Sequence, residues 1–328
     1  MSLNSSVRPH FLVAACFALV VASCTDTTAR GVAKTAPAAS PLGAQTASDP
    51  VLIGASDVAV CDEPGAAQVA DRIARLLERD PQAVLFTAGD NSNDEGSSEQ
   101  FAKCFAPTWG RFKERIRPAP GNHDYKTDGA AGYFGYFGKA AGENGKGYYS
   151  YDLGAWHVVA LNSNCKKTDG CELGSTQTTW LRDDLAQSTR KCTLTYFHHP
   201  LFSSGGHGQS EAGSKDDLIR QEIRPLVNAL YEARAEVIVN GHDHVYERFA
   251  PQNPQGAPDQ ATGIRYFVVG TGGAGLRDFG DSHAANSEVR IAQRHGVIKF
   301  ALKQDSYSWQ FIAADDGSVL DEGHGTCH

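Results

Sequence analysis

Ala83-Val84-Leu85-Phe86-Thr87-Ala88-Gly89-Asp90 is an apolar run broken by a glycine and closed by a carboxylate. It reads as a buried strand over residues 83–87 that delivers Asp90 into a crevice, where α/β folds carry their sites. Residues 51–53 lead in the same way to Asp57, residues 192–197 to His198, and residues 236–240 to Gly241-His242-Asp243-His244. Asn122-His123 follows the stiff approach Pro118-Ala119-Pro120-Gly121, which suits a fixed ligand or a plain turn. Four strand ends leading to ligand-type residues argue for one shared centre. Hard oxygen donors mixed with imidazoles suit two divalent or trivalent ions of the Fe, Mn or Zn class better than a thiolate site. Each piece alone has a blander reading, since an Asp after a strand also caps helices and forms turns. Successive residues of a strand face opposite ways, so at most one of His198 and His199 reaches the centre. His242 and His244, two apart, share one side of an extended segment.

Outward from these strands, residues 68–77 carry apolar positions at helical spacing and predict a surface helix. Residues 101–112 read as helical in part, interrupted by Pro107, with Trp109 packed inside. Residues 148–151 and 156–161 read as a hairpin, 176–185 as a helix, and 218–233 as a longer helix that accommodates Pro225. Residues 264–269, 297–302 and 307–312 read as further strands. Strand and helix signals interleave over the first two thirds and strands dominate the end. This predicts an α/β sandwich with mixed sheets rather than one parallel, doubly wound sheet. Gly270-Thr271-Gly272-Gly273 lacks the Lys-Ser/Thr ending of a nucleotide loop and reads as a tight turn beside the site. Ser203 and Ser204 read as polar lining and Arg248 as a structural ion pair.

The formal net charge of −8, with no basic run, speaks against an extended nucleic-acid footprint. Bound metals would reverse the local sign for a small phosphorylated substrate. Arg8 and His10 precede an apolar stretch at 11–21 that is too short to span a bilayer as a folded helix, and Ala22-Ser23-Cys24 follows. Val21-Ala22-Ser23-Cys24 resembles a bacterial lipobox. The domain reading is therefore a lipoprotein signal at 1–23, a flexible Ala/Thr/Ser/Pro-rich tether at 24–50 and one domain at 51–328. Plain secretion or an uncleaved anchor are the alternatives. On the lipoprotein reading the protein is exported to the cell envelope, on its periplasmic or extracellular face, touches the membrane only through lipid on Cys24, and is a monomer. Setting Cys16 and Cys24 aside leaves six cysteines, an even number that favours disulfides in an exported chain. Cys165 and Cys171, bracketing a short polar loop, are expected to pair, with Cys61 to Cys104 and Cys192 to Cys327 as the others.

Gly89-Asp90, Gly121-Asn122-His123-Asp124, the His198 segment and Gly241-His242-Asp243-His244 match, in order and rough spacing, the signature of the calcineurin-like metallophosphoesterases. The longer stretches Gly241-His-Asp-His-Val-Tyr-Glu-Arg248 and Phe197-His-His-Pro-Leu-Phe-Ser-Ser204 resemble the purple-acid-phosphatase branch, and the likeness runs from Val51 to the C-terminus. The resemblance implies a four-layer sandwich of two mixed sheets flanked by helices. It implies that Asp57, Asp90 and His244 hold one metal, and that Asp90 bridges to a second held by Asn122, His198 and His242. His123 would protonate the leaving alkoxide with Asp124 orienting it, and His207 would face the substrate. The implied activity is a phosphatase in which metal-bound hydroxide attacks a phosphomonoester. A phosphodiesterase on the same core, or a surface-binding lipoprotein with a degenerate site, are the alternatives. The chain departs from the pattern at Ser56, where the family has Gly. It departs again at Asn93, where the purple enzymes have a tyrosine ligand, while Ala59 stands where other members place a histidine. Asn93 itself is the remaining candidate ligand.

Overall fold

The computed structural model describes residues 49–328 apart from Asn144, Gln209 and Ser282. The expected signal, Cys24 and nearly all of the tether lie outside the described residues. Among the described residues no helix is long and apolar enough to cross a membrane.

The chain opens with β1 (Val51–Ala55), α1 (Gly65–Arg79), β2 (Val84–Ala88) and β3 (Ile116–Ala119). These three strands are parallel, in the order β1-β2-β3. β1 and β2 are buried almost end to end, as a strand covered on both faces must be. α1 forms because Val69, Ile73 and Leu76 recur at helical spacing on one buried face, and it packs beside a strand of the same sheet. The segment after β2 is helical in pieces. A π-turn at Phe101–Phe105 is followed by a 3₁₀ stretch at Trp109–Arg115, and Trp109 is fully buried with its indole N–H donating to Gly272 O at 3.0 Å. No strand is predicted at 116–119 because of Pro118. β3 is an edge strand and needs ladder bonds on one side only, so a residue without an N–H is tolerated there.

After α2 (Ala131–Phe137) the chain enters a second sheet through β4 (Tyr149–Leu153) and β5 (Trp156–Ala160). α3 (Thr176–Gln187), β6 (Cys192–Tyr196), α4 (Lys215–Glu232), β7 (Val237–Asn240), β8 (Tyr246–Phe249), β9 (Arg265–Val269) and β10 (Ser287–Ile291) continue it. Its order is β10-β8-β9-β7-β6-β5-β4. The chain then returns to the first sheet as β11 (Gly296–Leu302), β12 (Ser306–Ala313) and β13 (Val319–Thr326), giving the order β13-β12-β11-β1-β2-β3. Both sheets are mixed, one of six strands and one of seven. The predicted α/β sandwich of two mixed sheets flanked by helices is the fold observed.

Aromatic rings hold the sheets face to face. Phe86 meets Tyr196 at 4.9 Å between centroids, Tyr246 stacks on Phe311 at 4.0 Å, and Phe267 meets Phe300 at 5.5 Å. A second apolar cluster, with Leu181 of α3 and Ile223, Leu226 and Leu230 of α4, covers the other face of the seven-stranded sheet. α4 runs through Pro225 unbroken, and its first turn is capped by Ser214 Oγ, which accepts from the Asp217 N–H at 3.3 Å. The three expected disulfides are present: Cys61–Cys104, Cys165–Cys171 and Cys192–Cys327, with Cα–Cα separations of 5.1, 5.2 and 5.5 Å.

Candidate metal centre

Asp57 follows β1, Asp90 follows β2, Asn122 follows β3, His198 follows β6, and His242 and His244 lie between β7 and β8. These are the carboxyl ends of parallel strands in both sheets, and the sandwich brings them together along one edge.

The hydrogen bonds fix the ring tautomers. Ala88 O can only accept, so the contact at 3.1 Å places a proton on His198 Nδ1. The lone pair of His198 Nε2 then faces Asn122 Oδ1 at 2.9 Å and Asp90 Oδ2 at 3.2 Å. His244 repeats the arrangement: Nδ1 donates to Gly275 O at 2.6 Å, and Nε2 faces Asp57 Oδ1 at 3.2 Å. Asp57 Oδ1 is buried and makes no hydrogen bond among the described residues, while Oδ2 accepts from the His242 N–H at 2.9 Å. His242 Nδ1 stands 3.2 Å from His198 Nε2. Carboxylate and amide oxygens and imidazole nitrogens therefore crowd one another, an arrangement that positive charge between them relieves. Asp57, Asp90 and His198 have ligand atoms within 4.8 Å of one another, as do His198, His199 and His242. This donor set of oxygen and imidazole atoms fits a pair of metal ions.

A proton fills the same need in the bare chain. Burial of the His198 ring works against charge, yet the Asp90 carboxylate outweighs it and lifts the ring to about 9. For Asp57, burial is likewise outweighed by the His244 ring, which holds the carboxyl well below its usual range. Burial pushes His242 down, with the neighbouring His199 and His198 rings adding to the effect.

Asp57, Asp90 and His242 have φ of 58°, 48° and 70°, left-handed values that side-chain-bearing residues avoid. Such strain gathers where surrounding structure imposes it, commonly at functional sites. Two glycines permit the close approach. A Cβ on Gly121 would lie 2.1 Å from Asp90 Oδ1, and one on Gly241 would lie 2.0 Å from Ser56 Oγ. Ser56, at the position expected to be glycine, is fully buried, and its hydroxyl donates to Ala88 O at 2.9 Å, linking the ends of β1 and β2.

His123 lies at the rim. Its backbone N–H donates to Asp90 Oδ1 at 2.8 Å, its Nδ1 donates to Asp94 O at 3.0 Å, and its Nε2 stands 3.9 Å from Asp90 Oδ2. The expectation that Asp124 orients His123 is corrected. Asp124 Oδ2 instead accepts from Gly121 N at 2.9 Å and Asn91 Nδ2 at 3.0 Å, clamping the Asp90 loop to the Asn122 loop. Burial, with Asp90 adding to it, pushes the Asp124 carboxyl up to about 7. Asn93 is buried nearby and its N–H donates to Ala59 O at 2.7 Å. Among the described residues no hydrogen bond joins its side chain to Asp57, Asp90 or His244. His199 turns its Nδ1 to Ser163 Oγ at 2.9 Å, yet its ring also lies within the cluster with His198 and His242. The expectation that only one of the two adjacent histidines reaches the centre is therefore corrected: residues 198 and 199 form a bend after β6, where strand alternation no longer applies.

His207 stacks on His242 with centroids 4.0 Å apart. Its Nδ1 meets Asp216 Oδ2 at 3.0 Å, and Asp216 Oδ1 stands 3.6 Å from His242 Nε2. Asp216 is missed in the sequence because an acid in the first turn of a helix reads as a dipole partner. Asp243, between the two histidines, accepts from Ser203 Oγ at 2.6 Å and from the His207 N–H at 3.0 Å, so it holds the 203–208 loop against the site.

A model of the calcineurin-like phosphoesterase family matches residues 47–246. The chain belongs to that family. It is 31% identical over 185 residues to purple acid phosphatase 21 of Arabidopsis thaliana, which covers 53% of this chain and 39% of that protein. It therefore spans well under half the length of that relative. The purple acid phosphatase PPD1 from seeds of yellow lupin, Lupinus luteus, shares the fold, with a TM-score of 0.64 at 20% identity over 85% of this chain and 54% of the lupin chain. So does GAP50, described as the anchor in the inner membrane complex of Plasmodium, with a TM-score of 0.62 at 12% identity over 86% of this chain and 90% of that one. Fold alone thus leaves activity to be argued from the site.

Proposed function

We propose that the protein hydrolyses phosphate monoesters with two metal ions of the Fe, Mn or Zn class. The observation that carries this reading is the set of buried acceptor atoms facing one another, from Asp57 and His244 on one side and Asp90, Asn122 and His198 on the other. Asp57, Asp90 and His244 would hold one ion, with Asp90 shared to a second held by Asn122, His198 and His242. When bound, such a pair neutralises the phosphate oxygens and activates water for in-line attack.

The chain's own residues supply the rest. His123 keeps Nδ1–H on Asp94 O, which leaves Nε2 as the atom that hands a proton to the departing alkoxide. The Asp124–Asn91 clamp keeps His123 and Asn122 at fixed distance from Asp90. Three disulfides support an exported location, in keeping with an envelope lipoprotein.

The test is turnover by metal-stripped protein on 4-nitrophenyl phosphate and on its bis-ester, before and after adding back Mn, Zn or Fe. Activity should return with metal and favour the monoester. Activity that survives stripping would refute the metal reading, and preference for the bis-ester would refute the substrate reading. His123→Ala should keep its metal and lose turnover roughly 10²–10⁴-fold, as for removal of a general acid. Loss of metal in that variant would place His123 among the ligands.

A further inference from the structure

Arg277 lies just past the candidate ligands. Its backbone N–H donates to His244 O at 3.1 Å, and its Nη1 reaches His207 Nε2 at 2.6 Å. Arginine only donates and a carboxylate only accepts. His207 therefore carries its proton on Nδ1, towards Asp216, and receives Arg277 on Nε2. Both ring nitrogens are committed, so His207 has no proton to offer a substrate. The donors on this rim are the remaining N–H groups of the guanidinium.

The partner of Arg277, a histidine beside the metal centre, sets its placement apart. Arg111, Arg182, Arg190 and Arg294 each sit on a carboxylate. Arg277 is exposed and sits on an imidazole, with no ion pair to an acid among the described residues. In a chain of net charge −8, an arginine aimed by a histidine at the edge of the metal centre is a prepared anion receptor. The His207 ring, stacked at 4.0 Å on His242, separates it from the metal-holding atoms. It is thus offset from where the scissile phosphate would lie.

We propose that Arg277 is a specificity-determining residue that selects phosphate esters or anhydrides carrying a second anionic group, a phosphoryl or a carboxylate, which its guanidinium binds at the rim. His207 and Asp216 are positioning residues that aim it. The proposal rests on the phosphatase reading for the place of the scissile phosphate.

The experiment compares wild-type protein with Arg277→Gln and Arg277→Lys, metal-loaded, on diphosphate, 3-phosphoglycerate and 4-nitrophenyl phosphate. Losing one charge-assisted contact should lower the kcat/KM ratio of a doubly anionic substrate to 4-nitrophenyl phosphate roughly 10- to 100-fold, through KM rather than kcat. Lysine should restore part of that loss. A fall confined to diphosphate assigns the second group as phosphoryl, and one confined to 3-phosphoglycerate assigns it as carboxylate. A ratio unchanged within about threefold for both substrates overturns the proposal. Equilibrium binding of diphosphate, 3-phosphoglycerate and orthophosphate to the same proteins separates the two readings. Should no ester be turned over, the phosphatase reading fails, and binding of diphosphate or 3-phosphoglycerate that weakens selectively in Arg277→Gln would still uphold this one. Equal affinity of wild type and variant for both diphosphate and 3-phosphoglycerate would overturn it.

Discussion

Asp57, Asp90 and His242 hold backbone conformations that cost about 1–3 kcal/mol apiece, a cost offset by the hydrogen bonds and close packing around them. A site built this way places its ligands with little freedom to adjust, so Asn93, three residues after Asp90, matters for what it lacks. A carboxamide cannot give the phenolate-to-iron charge transfer that colours the purple enzymes. The two tyrosines beside the motifs are engaged elsewhere. Tyr125 OH accepts from Asn162 Nδ2 at 2.8 Å, and Tyr246 OH donates to Asp321 Oδ2 at 2.7 Å. Iron-loaded protein should therefore show no tyrosinate band in its visible spectrum, whereas Asn93→Tyr should bind the first metal more tightly and gain the band. A visible tyrosinate band in the unmodified protein would mean that another tyrosine has entered the centre.

Among the elements, the β4–β5 hairpin is tied to α3 by a histidine between two acids. His157 Nε2 meets Asp184 Oδ2 at 2.8 Å, and its Nδ1 meets Asp152 Oδ1 at 3.2 Å. Burial disfavours the charged ring, but the hydrogen bonds to Asp184 and Asp152 outweigh it and raise its pKa. A histidine raised on folding adds stability that is complete below its unfolded pKa, about 6.5, and is lost as pH climbs through the folded value. The melting temperature of wild type should exceed that of His157→Gln by most at or just below pH 6.5, and the gap should close as pH rises. A gap that widens with rising pH would show that the ring is neutral in the folded protein.

Across the whole molecule, the sequence exposed what periodicity and strand ends can carry. The apolar runs before Asp57, Asp90, His198 and His242 predicted β1, β2, β6 and β7, and the six cysteines predicted their own partners. β3 was hidden by Pro118. β13 was hidden by its polar, glycine-rich Asp321-Glu322-Gly323-His324-Gly325, whose glycines lie against the Trp309 and Tyr307 rings of β12. Asp216 and Arg277 were illegible for a different reason. Their partner is His207, and only the folded chain brings residues 207, 216 and 277 together. The misplaced role of Asp124 has the same origin, because adjacency to His123 in sequence says nothing of which loop its carboxylate turns toward.

A centre for two metal ions that share Asp90, at the edge where both sheets converge, has a definite metal stoichiometry. Metal content per chain, measured on wild type and Asp90→Ala after stripping, saturation with Mn or Zn and removal of excess, reads that stoichiometry. Two ions per wild-type chain and near-complete loss from Asp90→Ala are expected, with the variant still folded by circular dichroism. One ion or none in the saturated wild type, or two retained in Asp90→Ala, would contradict it.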